Sequence, residues 1–82
     1  MNFKTYLNTY LKEKGISEDE SITIIDDGGI KHFLNIGVII EFMNGLGKDT
    51  QKAIKKKLIQ IDFFNGDVRK FLEYVGAGMI KL

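Results

Sequence analysis

The sequence contains no cysteine and a single histidine, His32. Without cysteine there can be neither a disulfide framework nor a cysteine-based zinc site. A histidine-based metal site or a Ser-His-Asp arrangement would have to be built around one imidazole. We therefore predict that His32 is a strand residue facing solvent or the neighbouring strand, with no catalytic or metal-binding role.

The sequence also lacks the loops that bind phosphates and calcium. Gly28-Gly29 is not followed by the Lys-Ser/Thr pair of a phosphate loop. Residues 76–78 come after a predicted helix, whereas the glycines of a dinucleotide-binding fingerprint come after a strand. The acids at 26–27 and 62–67 lack the alternating ligands and distal glutamate of an EF-hand, so turn or cap chemistry explains them. We expect no enzyme activity, no catalytic residue, no metal and no cofactor.

Long apolar segments are scarce as well. The longest apolar region, residues 33–43, contains Asn35 and Glu41, and the N-terminal segment is interrupted by polar residues throughout. Neither has the pattern of a signal peptide or a membrane span. With 82 residues, 44% hydrophobic and 28% charged, the chain is expected to fold as one small soluble domain over residues 1–82, in the cytoplasm and away from membranes.

Charge is distributed unevenly along the chain. Residues 1–41 carry four lysines and seven acids, whereas residues 42–82 carry eight basic residues and four acids. We expect one end of the folded molecule to be acidic and the other basic. Five of the eleven lysines fall within residues 48–57, and they are Lys48, Lys52, Lys55, Lys56 and Lys57.

The first half of the chain predicts a helix followed by a β-hairpin. Apolar residues at helical spacing predict a helix over residues 2–14, which Gly15 ends in the left-handed conformation. The β-branched residues 22–25 and the segment 30–34 flank Asp-Asp-Gly-Gly, a pattern typical of a hairpin. A capping-box pattern leaves a short helix within residues 17–25 as the alternative.

The hairpin register depends on the length of its loop. With a three-residue loop at 27–29, the two inner isoleucines of the first strand share a face with the even-numbered residues of the second. That face consists of Ile22, Ile24, Ile30, His32 and Leu34. With a two-residue loop, the same two isoleucines would instead lie beside Phe33. The sequence pattern allows both registers.

Three helices are predicted after the hairpin. A central helix over residues 36–44 is expected to be N-capped by Asn35, and the next helix is expected to start at a cap formed by Asp49 or Thr50 and to run to about residue 63. We therefore predict an α+β fold in which an N-terminal helix and a hairpin precede three helices packed on one face of the ribbon.

The last of these helices is expected to be capped by Asp67. Gly76 and Gly78 are expected to end it, because glycine is the usual residue after a helix C-terminus. Residues 79–82 would then form a short apolar tail.

The lysines at 48–57 suggest a surface that binds a partner. A row of lysines on a helix, however, is more often simply a solvent-exposed face with no partner. Salt-sensitive nucleic-acid binding is one possible use, but no aromatic side chains are interleaved with these lysines to stack on bases. A helix-turn-helix over residues 57–75 fits poorly, because it places Asp62 where a small residue is normal and offers only Arg69 and Lys70 as readers.

The leading hypothesis is a small intracellular regulator or inhibitor that binds a protein partner stoichiometrically. Its size and composition suggest that a phage or mobile element encodes it. The partner-binding residues would be the five lysines at 48–57, and nucleic-acid regulation through the same face is the alternative hypothesis. We also expect a homodimer that buries one strand edge or the region 63–64.

Overall fold

The computed structural model describes residues 2–81, which form four helices and one antiparallel hairpin. In chain order the elements are α1 (Phe3–Glu13), β1 (Ser21–Ile25), β2 (Lys31–Asn35), α2 (Ile36–Asn44), α3 (Lys48–Phe63) and α4 (Val68–Ile80). The predicted α+β fold, with an N-terminal helix, a hairpin and three further helices, is confirmed.

Helix α1 ends in the left-handed conformation that the sequence predicts. Gly15 has φ +74°, and the N–H of Ile16 donates to the carbonyl of Leu11 at 2.9 Å. These two features form a Schellman cap, which also buries Ile16 against the end of the helix. At the other end, the side chain of Asn2 accepts a hydrogen bond from the N–H of Thr5 at 2.8 Å.

The hairpin has the three-residue loop. Ile22 lies opposite Leu34, Ile24 lies opposite His32, and the N–H of Asp26 donates to the carbonyl of Ile30 at 3.0 Å, which leaves residues 27–29 as the loop. The alternative helix over residues 17–25 is therefore wrong. Its capping-box residues instead close a local turn, since the N–H of Ser17 donates to the Glu20 carboxylate at 3.2 Å.

Two of the predicted helix caps are confirmed and one is wrong. Asn35 accepts from the N–H of Gly37 at 2.7 Å, and Asp67 accepts from the N–H of Arg69 at 2.9 Å. Helix α3, however, begins at Lys48 with Gly47 as its N-cap, so neither Asp49 nor Thr50 caps it.

The early start of α3 has a physical reason in its first turn. The side-chain amide of Gln51 donates to the carbonyls of Asn44 and Leu46, each at 3.0 Å, and so ties the new helix to the end of α2. Asp49 lies in the first turn, where its negative charge interacts favourably with the helix dipole.

The predicted end of α4 is wrong, because the helix continues through Gly76 and Gly78 to Ile80. Gly76 is buried where α4 crosses the hairpin: a Cβ built on it would lie 2.3 Å from Cδ1 of Ile24 and 3.1 Å from Cδ1 of Leu34. Close packing, rather than helix termination, therefore explains this glycine. Of the predicted tail, residues 79–80 are helical and residue 82 lies outside the described residues.

Helix α2 occupies the centre of the molecule, as predicted. It contacts α1, α4 and β2, while α4 contacts β1, so the inner face of the ribbon is covered. The side chains that are almost completely buried are Leu7, Ile36, Ile39, Met43, Leu58 and Leu72. Helix α3 contributes only two buried residues to this core, Ile54 and Leu58.

Candidate functional site

The five lysines predicted to bind a partner all lie on α3. We call them the basic surface, and they are Lys48, Lys52, Lys55, Lys56 and Lys57. Four of the five are exposed, because the side of the helix that packs against the core is the one that carries Ile54 and Leu58. Lys55 is half-buried, with its Nζ 5.0 Å from the centroid of the Tyr6 ring on α1. The structure therefore places all five on one helix.

The basic surface takes no part in the ion pairs found among residues 2–81. Those pairs join Lys4 to Glu41, Lys14 to Asp62 and Arg69 to Glu20. Within the described chain, the positive charges of the basic surface are therefore not neutralised by a neighbouring carboxylate. An external carboxylate could approach them without displacing an internal partner.

Asp62 fixes how α3 sits against α1. Its carboxylate accepts a hydrogen bond from the Tyr10 hydroxyl at 2.8 Å and lies 2.7 Å from Nζ of Lys14. The pKa of Asp62 is lowered by its hydrogen bonds from Lys14 and Tyr10, while burial is the main cause that raises the pKa of Tyr10. Asp62 thus anchors the helix that carries the lysines.

His32 and the acids of the hairpin turn also have structural partners. The Asp26 carboxylate lies 2.8 Å from Nε2 of His32. It also accepts hydrogen bonds from the backbone N–H groups of Gly28 and Ile30, at 2.8 and 2.9 Å. The hydrogen bond from His32 is the main reason why the pKa of Asp26 is lowered. Within residues 2–81, no group of three or more His, Asp or Glu side chains is placed to hold a metal ion.

Two large apolar side chains on α3 extend the basic surface. Sequence reasoning missed Ile59 and predicted Phe63 only as part of a homodimer contact. Ile59 is 63% exposed and Phe63 is 80% exposed. Together with Lys52 and Lys56 they follow the spacing i, i+4, i+7 and i+11, which places all four on one side of the helix. We call this set the outer stripe. The helical spacing of these four residues is the sequence signal that could have identified the set.

Further aromatic side chains are exposed at the C-terminal end of α3 and in the middle of α4. Phe64, at the C-cap of α3, is 74% exposed, and its ring packs edge-on against that of Phe63 with centroids 5.0 Å apart. Tyr74 on α4 is 77% exposed. A concentration of exposed aromatic rings is more typical of a binding surface than of a solvated face.

None of the helices described within residues 2–81 combines the length and the apolar character needed to cross a membrane. No family model, no curated protein and no solved structure matches this chain. A function must therefore be inferred from the surface itself.

Proposed function

We propose that this protein is a small, non-enzymatic cytoplasmic regulator or inhibitor that acts by binding another protein stoichiometrically. The observation that supports this proposal is the outer stripe, in which unpaired lysines and exposed apolar side chains share one side of α3. The preferred partner would carry carboxylates next to an apolar patch. Encoding by a phage or mobile element, suggested by size and composition, is part of the same proposal.

The two halves of the outer stripe would contribute differently to binding. Lys52 and Lys56 would attract an acidic partner over a distance and so raise the association rate. Ile59 and Phe63 would exclude water after contact and so slow dissociation. Both effects require the helix to present the four side chains together, which the Tyr10–Asp62 hydrogen bond supports.

A charge-matched pair of variants tests the proposal. Replacing Lys52, Lys55 and Lys56 together by glutamine should leave the fold intact. Exposed substitutions such as those at Lys52 and Lys56 usually change the free energy of unfolding by less than about 0.5 kcal/mol each. Loss of the contact between the half-buried Lys55 and the Tyr6 ring should cost about 0.5–1 kcal/mol more. The variant should capture much less of the partner from a host lysate, as measured by quantitative mass spectrometry. With the purified partner, association should slow by roughly tenfold at low salt.

The control removes the same number of positive charges elsewhere. Lys12, Lys31 and Lys81 are exposed and take no part in the ion pairs of residues 2–81. Their triple glutamine variant should capture the partner as the wild type does. Equal capture by the two triple variants would show that the basic surface is only solvated.

Nucleic-acid binding through residues 48–57 is the alternative function. The lysines could contact phosphates, but the aliphatic side chain of Ile59 on the same side of the helix suits a protein surface better than a polyanion. We expect no shift of generic DNA or RNA at about 150 mM salt. A sub-micromolar gel shift under that condition, lost in the Lys52, Lys55 and Lys56 variant, would favour the alternative.

We further propose a homodimer that uses a free edge of the two-stranded ribbon. Its outer face exposes Phe33 by 72% and Ile25 by 62%, and a ribbon of two strands has unpaired backbone groups at both edges. Light scattering should give twice the chain mass of 9.3 kDa. Phe33→Lys should convert the dimer to a monomer, and Phe63→Lys should not. A wild-type mass that stays at 9.3 kDa at high concentration would contradict the dimer.

A further inference from the structure

A groove separates α3 from α4 on the side of α3 away from α1. Its volume is about 550 Å³, and it is lined by Lys57, Ile61, Asp67, Lys70, Phe71 and Tyr74. Ile61 and Phe71 are half-buried and supply apolar contact area, whereas the Tyr74 ring is 77% exposed. A cleft of this kind, with apolar walls and a few charged groups, is typical of a binding site.

We propose that this groove receives one large apolar side chain from an acidic segment of the partner, with Lys57 and Lys70 contacting the carboxylates beside it. The proposal rests on the proposed function, because it assigns to the same acidic protein partner a second point of contact, on the side of α3 that faces α4. It differs from that function in requiring an apolar anchor residue as well as negative charge.

The size and lining of the groove support an apolar anchor. Its volume is large enough for a leucine or aromatic side chain, and such a side chain would contact Ile61 and Phe71, which already pack against the core. It would also cover the exposed ring of Tyr74. Buried apolar anchors in pockets of this type usually supply most of the affinity of a protein interface.

The charges around the groove support acidic neighbours for that anchor. Neither Lys57 nor Lys70 takes part in the ion pairs of the described chain, residues 2–81. The groove also contains one acidic residue, Asp67, which is the N-cap of α4. Its carboxylate accepts a hydrogen bond from the backbone N–H of Arg69 at 2.9 Å. Its negative charge therefore interacts with a helix N-terminus, where it is stabilised. The two ammonium groups remain available to a ligand.

Synthetic peptides test the groove without knowledge of the partner. The first probe is a short peptide with one leucine flanked on both sides by glutamates, and the second has alanine in place of the leucine. By fluorescence anisotropy, the leucine peptide should bind wild-type protein about tenfold more tightly, because burial of its larger apolar side chain favours binding. In ¹H–¹⁵N spectra it should shift the amide signals of residues 57–61 and 70–74.

Two aromatic residues of similar exposure provide matched variants. Tyr74→Ala should weaken binding of the leucine peptide about tenfold, whereas Phe64→Ala, outside both the groove and the outer stripe, should leave it unchanged. Replacing Lys57 and Lys70 together by glutamine should weaken binding of both peptides. Melting curves of each variant establish that the fold is intact.

Three results would contradict the proposal that the groove binds an apolar side chain of an acidic partner. Equal binding of the two peptides, with amide shifts confined to the outer stripe, would contradict the apolar anchor. It would remain compatible with binding of an acidic partner to the basic surface. Absence of binding of the leucine peptide would reject the groove, while the lysate experiment with the lysine variants would still decide the proposed function. Loss of the homodimer in Tyr74→Ala would show that a second copy of the chain, and not an acidic partner, occupies the groove.

Discussion

Replacement of Gly76 by valine should lower the free energy of unfolding by about 3 kcal/mol. Even the first added carbon would lie 2.3 Å from Cδ1 of Ile24 and 3.1 Å from Cδ1 of Leu34, so both side chains must be displaced within the packed core before the valine can fit. Ile24 is itself buried and has little room to rotate away. Thermal unfolding should show a fall in Tm of more than about 10 °C.

Gly78 provides the matched control for this experiment. It lies in the same helix, is exposed, and has no atom within 4 Å of the position where its Cβ would be built. Gly78→Ala should therefore stabilise the protein by about 0.5–1 kcal/mol through helix propensity alone. If Gly76→Val were as stable as wild type, α4 would not approach the hairpin as closely as described.

Leu58→Ala should destabilise the protein by about 3 kcal/mol. Leu58 is 1% exposed and is one of only two buried residues on α3, so its truncation leaves a cavity and weakens the attachment of the helix. Urea denaturation followed by circular dichroism measures the loss. Because α3 carries the basic surface, hydrogen exchange should show its amides losing protection before those of α2.

The neighbouring residue Ile59 is the control for Leu58. Its side chain is 63% exposed, so Ile59→Ala should change the free energy of unfolding by no more than about 0.5 kcal/mol. It should nevertheless weaken partner binding, since it belongs to the outer stripe. A large loss of stability in Ile59→Ala, or none in Leu58→Ala, would mean that α3 is rotated about its axis relative to the described packing.

Interactions between residues close in sequence made most of the fold predictable. The Schellman cap at Gly15 and the caps at Asn35 and Asp67 each involve hydrogen bonds that span five residues or fewer. The β-branched segment in β1 and the helical spacing in α2 likewise depend on local preferences. For this reason the order of the elements and the bounds of α2 were predicted correctly.

The errors occurred where the usual signal for a helix end competes with a contact made outside that end. Glycine is common just after a helix, but Gly76 lies inside α4 because Ile24, far away in the chain, packs against it. Asp49 resembles an N-cap, but the side chain of Gln51 reaches back to the end of α2 and the helix begins earlier. Neither outcome follows from a pattern of neighbouring residues.

The candidate site shows the same division. The sequence alone determined that Lys52, Lys55, Lys56 and Lys57 lie on one predicted helix, because helical spacing is a local property. Lys48 was expected to precede that helix, and it belongs to α3 only because the helix starts early. The tertiary structure decided that these lysines have no ion-pair partner within residues 2–81 and that Lys57 and Lys70 line one groove. It also decided that Asp62 accepts a hydrogen bond from Tyr10, a contact that joins residues 52 positions apart. Charge pairing and burial depend on which distant elements meet, and that is settled only when the helices pack.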